Sequence, residues 1–358
     1  MKRRLFGLSP VLALLACDSG AQAPVDGVAE TTDVAVDSAV DADVANDDSV
    51  AVDSAVDSAV DSDVAADSDV AVDSDVAVDT TDTTVTGTTH RLTLGSWTMQ
   101  PGGETTRCMV VRLGNSERIY VPRIRTTLSQ GSHHFIIYRT DETEERATPF
   151  PCAPFTDVVG GGTVPLMITQ TRDETLELPP GVAFELEANQ MIRLEAHYLD
   201  YFPEPITTSA EVVFDVLPAG EAPLVADFLF YGTTSFLLPK GKETTIPWHY
   251  LQVPAGLQVF AMTGHTHALG TNVEVEVATS AAGGSAVYPP EGQPFRWSDA
   301  PIAYFDPPLE FADGQGFRFR CSWNNTTDAA VKFGESANAE MCFFWAYYYP
   351  SRGFLVQF

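Results

Sequence analysis

From about residue 89 onward the apolar residues recur at every second position, and helical spacing is almost absent. Thr271, Val273, Val275 and Val277 alternate with Asn272, Glu274, Glu276 and Ala278. Ala210, Val212, Phe214 and Val216 alternate with Ser209, Glu211, Val213 and Asp215. Period two puts alternate side chains on one face of an extended strand, so these runs cannot fold as amphipathic helices. Gly and Pro punctuate them, as at Pro179-Pro180-Gly181, Pro218-Ala219-Gly220 and Pro254-Ala255-Gly256. Many short strands with such turns imply an all-β chain of two tandem jelly-roll-like β-sandwich domains. The Pro218–Pro223 segment divides them into 89–217 and 218–358, with one large sandwich and long loops as the competing arrangement.

The stretch before residue 89 obeys other rules. Lys2, Arg3 and Arg4 precede a short apolar run, Leu5 to Leu15, and Leu14-Leu15-Ala16-Cys17 resembles a bacterial lipobox. The run is too short to span a bilayer, so residues 1–17 read as a lipoprotein signal peptide and Cys17 as the lipidated first residue of the mature chain. Residues 18–88 repeat variants of Val-Asp-Ser-Ala, with 19 acidic residues, no Lys or Arg and no aromatic residue. Such a segment cannot bury enough surface to offset its ordering entropy. It reads as a disordered, charge-extended linker holding the folded part away from a membrane. Its Asp-x-Asp pairs lack the Gly and closing Glu of a calcium loop. The expectation is an exported protein, lipid-anchored to a bacterial membrane on its periplasmic side or at the cell surface.

The net charge of −29 is therefore mostly a property of the linker. Residues 89–358 carry 30 acidic and 17 basic residues, a net −13, with no basic stripe to hold nucleic acid. After Cys17 four cysteines remain, Cys108, Cys152, Cys321 and Cys342. An even count in an exported chain argues for two disulfides. Of the three possible pairings, Cys108–Cys152 with Cys321–Cys342 places one bridge in each half.

Chemistry concentrates in the histidines. There are seven, and five fall into tight settings: His133-His134, His197, and His265-Thr266-His267. Imidazole is the commonest metal-ligating group, and a thioether such as that of Met341 beside imidazoles shifts preference toward copper. His265 and His267 are two apart at the end of an apolar run, so both can reach one ion, with Gly264 and Gly270 permitting close backbone approach. His133 and His134 can point together only across a bulge, for which Gln130-Gly131-Ser132 provides an irregular start. In Gln190 to Tyr198, His197 shares a polar face with Arg193 and Glu195, as a ligand at a wet cleft would. In Met341 to Tyr349, Cys342 shares a face with Phe344, Ala346 and Tyr348, and a Cys321–Cys342 bridge on that core side projects Met341 outward on the opposite face. His90 and His249 have no ligand-like neighbours and read as structural or solvated.

Together these phrases resemble the copper type II, ascorbate-dependent monooxygenases, which include peptidylglycine α-hydroxylating monooxygenase and dopamine β-hydroxylase. The matching elements are Arg107-Cys108-Met109, His133-His134-Phe135, Glu195-Ala196-His197-Tyr198, Gly264-His265-Thr266-His267 and Glu340-Met341-Cys342, in order. The resemblance implies two copper ions facing each other across a solvent-filled cleft between two domains, and it also fits the sequential disulfides. It assigns His133, His134 and His197 to an electron-supplying copper, and His265, His267 and Met341 to an oxygen-binding copper. Ascorbate or another electron donor would reduce both, O2 would bind at the Met341 site, and a C–H bond of an organic substrate would be hydroxylated there. The soft thioether favours Cu(I), the state that must meet oxygen.

Departures bear on the substrate. Thr263 stands where the peptide hydroxylase has the Arg that grips a substrate carboxylate, Phe343 where it has Asn, and Thr106 where it has Tyr. The aromatic residues Phe343, Phe344, Trp345, Tyr347, Tyr348 and Tyr349 instead suggest a less polar substrate. No amidating lyase domain is expected after Met341. The alternative reading is a non-catalytic copper-binding surface lipoprotein on the same scaffold.

Overall fold

The computed structural model describes residues 88–155 and 162–358. The expected signal peptide, Cys17 and all but the last residue of the acidic linker lie outside the described residues. Among the described residues every regular element is a β-strand.

Two antiparallel sheets organise the first half. One runs Thr89–Met99, Ile206–Asp215, Arg123–Leu128, Asp173–Glu177 in spatial order. The other runs Arg146–Pro151, Glu104–Arg112, Met191–Leu199, Ser132–Thr140, Thr163–Thr169. Leu94, Ile124, Val212 and Phe214 from the first join Phe135, Ile137, Leu194 and Tyr198 from the second in one hydrophobic cluster. Cys108 and Cys152 are bridged, tying the Glu104–Arg112 strand to the segment that follows Arg146–Pro151.

The second half repeats the two-sheet theme. Ala303–Glu310, Gln258–His265, Phe343–Tyr349, Asp227–Gly232 and Leu355–Gln357 form one sheet. Gly316–Asn324 and Gly270–Ser280 are central to the other, joined by Glu243–Thr245, His249–Gln252 and Gly283–Tyr288. The alternation at Gly270–Ser280 works as its spacing implies. Val273 and Val275 are fully buried, while Glu274 and Glu276 face Arg320 and Arg318 across the strand pair. The Cys321–Cys342 bridge lies within this second core, beside Phe317, Phe319 and Phe344.

The strand Phe343–Tyr349 shows how the halves meet. Phe344, Ala346 and Tyr348 belong to the second core, whereas Phe343, Trp345, Tyr347 and Tyr349 belong to the first. The alternation holds, but its second face meets protein rather than solvent. That apolar face, with Phe228 and Phe230 of the neighbouring strand, covers the five-stranded sheet of the first half. This burial corrects two expectations. Met341 does not project outward but is 3% exposed, and the Arg193, Glu195, His197 face of Met191–Leu199 is not wet. All nine residues of that strand are buried.

Candidate metal centre

His133 and His134 sit near the start of the Ser132–Thr140 strand. Gly131 precedes them at φ 81°, a left-handed conformation that disfavours side chains with a Cβ. Opposite, His197 pairs with His134 and Tyr198 with Ser132, so His133 is the extra residue of a β-bulge. The bulge is what brings adjacent histidines to one side of the sheet.

His265 is the last residue of Gln258–His265, and His267 lies just past its end. A Cβ on Gly264 would come within 2.8 Å of Val273 and 2.9 Å of Tyr288, so the glycine is required for the strand to pack this closely. Glu340 then fastens the segment. One of its oxygens accepts hydrogen bonds from His267 N at 2.9 Å, Trp323 Nε1 at 3.0 Å and Met341 N at 3.3 Å, and the other from Leu269 N at 2.8 Å. A single buried carboxylate thus ties the histidine loop to the residue that precedes the second disulfide. Burial raises the pKa of this carboxyl, and the donated N–H bonds work against the rise.

The five imidazoles converge. His133 lies with ring centroids 5.2 Å from His134, 5.3 Å from His197, 5.8 Å from His265 and 5.5 Å from His267. His265 and His267 are 5.3 Å apart. Two groups have potential ligand atoms all within 4.8 Å of one another: His133, His134 and His197, and His133, His265 and His267. His133 is common to both. This differs from the open, solvent-filled cleft that the resemblance implies, because the two sets form one continuous cluster.

Their hydrogen bonds leave nitrogen lone pairs directed inward. His197 Nε2 donates to Glu104 Oε1 at 2.9 Å, His265 Nδ1 to Gln170 Oε1 at 2.6 Å, and His267 Nδ1 to the Ala339 carbonyl at 3.0 Å. Gln170 Nε2 in turn donates to the Gly264 carbonyl at 3.2 Å, which fixes the amide orientation. These partners set the tautomers and leave the other ring nitrogen as an acceptor. Those nitrogens, His197 Nδ1, His265 Nε2 and His267 Nε2, are buried without a partner, as are His133 Nε2 and His134 Nδ1. Buried polar atoms are rarely left unpaired, so five at one point fit a metal better than a packed core. Imidazole donors suit copper, zinc and iron, and the backed imidazoles have the arrangement expected of metal ligands.

Burial and then mutual repulsion lower the histidine pKa values, to about 3 for His133 and well below the usual range for His134 and His265. His267 falls to about 4, chiefly through burial, and His197 is lowered by burial against the raising effect of Glu104. All five are neutral at pH 7, the form that binds metal. His133 is the least covered of them and borders a cavity of about 240 Å³ with Trp297 and Tyr201.

Met341 borders a different cavity, of about 230 Å³, together with Phe155, Phe230, Phe333 and Phe343. Of the aromatic run in the last long strand, only Phe343 lines it; the others pack in the two cores. Thr263 is buried, and His90 and His249 belong to neither histidine group. Sequence reasoning missed Gln170, Glu104 and Phe155. Phe155 approaches the His134 ring at 5.8 Å and has its N–H held by the buried Glu195 at 3.1 Å. Glu195 also accepts from Tyr138, and burial raises its pKa to about 7.

Residues 246–356 match the C-terminal domain of copper type II ascorbate-dependent monooxygenases. That span contains His265, His267, Met341 and the Cys321–Cys342 bridge; His133, His134 and His197 precede it. Among solved structures, the major capsid protein P2 from bacteriophage PM2 is similar at 11% identity and a TM-score of 0.33, covering 74% of this chain and 99% of that one. A structure of infectious bursal disease virus, Gt strain, is similar at 9% identity and a TM-score of 0.16, covering 74% of each chain. Both likenesses are too slight to carry an argument about the fold or its use.

Proposed function

We propose that this protein is a copper monooxygenase that hydroxylates a C–H bond of an organic substrate. The observation that carries the reading is the convergence of five buried, unpartnered imidazole nitrogens, two of them within the matched domain. In this reading His133, His134 and His197 hold one copper, and His265, His267 and Met341 hold the other, with His133 placed to reach both. Copper held there would supply electron transfer and the activation of dioxygen. The overall reaction consumes substrate R–H, O2 and two electrons with two protons from ascorbate or a similar donor, and yields R–OH and water.

The chain's own groups position this chemistry. Gln170, Glu104 and the Ala339 carbonyl orient the rings, and Glu340 keeps His267 and Met341 in a common frame. The apolar shell formed by Phe155, Phe230 and Phe343 keeps bulk water from the substrate side. X-ray absorption on reduced, copper-loaded protein tests the assignment. A sulfur scatterer should be present in the wild type and absent in Met341→Ala; its absence from both would remove Met341 from the site. We further propose export and anchoring through lipidated Cys17, with residues 18–88 as the spacer; Cys17→Ala should release the protein from membranes, and its retention there would refute the anchor.

A further inference from the structure

The cavity beside Met341 has a chemical character of its own. Phe230 and Phe343 stack at 4.9 Å with planes 15° apart, Phe155 lies 5.8 Å from Phe230, and Phe333 meets Phe343 edge-on at 6.0 Å. With Phe358, which meets Phe343 edge-on at 5.7 Å, five rings thus line a space of about 230 Å³. An apolar cavity of about 150 Å³ accepts benzene, so this one has room for two fused rings. Among the described residues the only charged one in its lining is Glu335, which is exposed. No Lys, Arg or His among the described residues lines the cavity.

Resting on the proposed monooxygenase reading, we infer that the substrate of this site is a small, uncharged aromatic molecule of about two rings, and that Glu335 excludes carboxylate-bearing ligands. An anion entering here would leave water for an apolar space with no counter-charge, and would approach a like charge at the rim. A neutral ring needs neither. It is attracted by offset and edge contacts with the Phe walls, and a hydroxyl on it can donate to Glu335. The attraction is mainly apolar, because an exposed carboxylate is well screened by solvent.

The test is calorimetric titration of the full-length protein with 2-naphthol and 2-naphthoate, which share a ring system and differ in charge. Copper-free and copper-loaded samples are both used, so binding is read separately from oxygen chemistry. The expected result is saturable binding of 2-naphthol with 2-naphthoate roughly tenfold weaker or more, the equivalent of one pKa unit of unfavourable interaction. Glu335→Gln should narrow that gap, the remainder being the cost of taking the carboxylate out of water. Thr234→Trp, an exposed lining position, should fill the cavity and abolish 2-naphthol binding while leaving thermal melting unchanged. Equal affinity for the two ligands in the wild type, 2-naphthol binding unaffected by Thr234→Trp, or no saturable binding would each overturn the proposal. None of those results bears on copper binding or oxygen uptake, which test the monooxygenase reading itself.

Discussion

His133 belongs to both three-histidine groups, and replacing it should therefore weaken both. His133→Ala reduces each group from three imidazoles to two. His134→Ala touches only the group with His197, and His267→Ala only the group with His265. Losing a residue that merely supports a ligand typically costs 10–100-fold in metal affinity, so loss of the ligand itself should cost about 100-fold or more. That corresponds to about 2.7 kcal/mol at each group. Competition with a chromophoric Cu(I) chelator resolves the two affinities. In His133→Ala both should fall by about 100-fold, whereas in His134→Ala and His267→Ala one should fall and the other stay near wild type. If His133→Ala lost one affinity and left the other at its wild-type value, the shared cluster would be wrong and the sites would be independent.

Three further outcomes follow from the same geometry. The depressed histidine pKa values make the metal-free protein acid-sensitive: below about pH 6.5 the unfolded chain takes up protons that folded His267 refuses until about pH 4 and folded His133 until about pH 3. Stability is fully present above 6.5 and falls as pH drops, by on the order of 1.4 kcal/mol per pH unit for His267 alone, measurable by urea denaturation; a flat profile from pH 7 to 4.5 would contradict it. Glu340→Ala strips an acceptor from four N–H groups and should cost at least about 3 kcal/mol in stability and lower copper affinity at the His265–His267 group; an unchanged chelator competition would show that the carboxylate does not position it. Removing the Cys108–Cys152 bridge, which spans 44 residues, should cost about 4 kcal/mol, and removing Cys321–Cys342, which spans 21, about 3 kcal/mol. Thermal melting of the Cys→Ser pairs checks that order.

Much of the architecture was legible because side-chain parity is a local property. The spacing of Val273 and Val275, and the opposite facing of Cys342 and Met341, follow from period two alone, and the structure bears both out. Parity says nothing about what covers a face. His197, Glu195 and Arg193 look solvent-facing in sequence because polar residues usually are, yet Phe155, Tyr138 and the second half's aromatic sheet enclose them. Gln170 was invisible for a related reason. It meets His265 across 95 residues of chain, and nothing in its own neighbourhood marks it. The distance between the two histidine sets is likewise a tertiary quantity, which is why one continuous cluster was not expected from two separated motifs.

The central claim is that the copper held by this cluster inserts oxygen into a substrate. Single-turnover reaction of reduced, copper-loaded protein with isotopically heavy O2 and a panel of neutral, cationic and peptide substrates tests it most directly. The account predicts a hydroxylated product carrying one heavy oxygen atom, formed by the wild type and lost in Met341→Ala. Full copper loading and reduction with no labelled product from any member of the panel would contradict it and leave a copper-binding protein without catalysis.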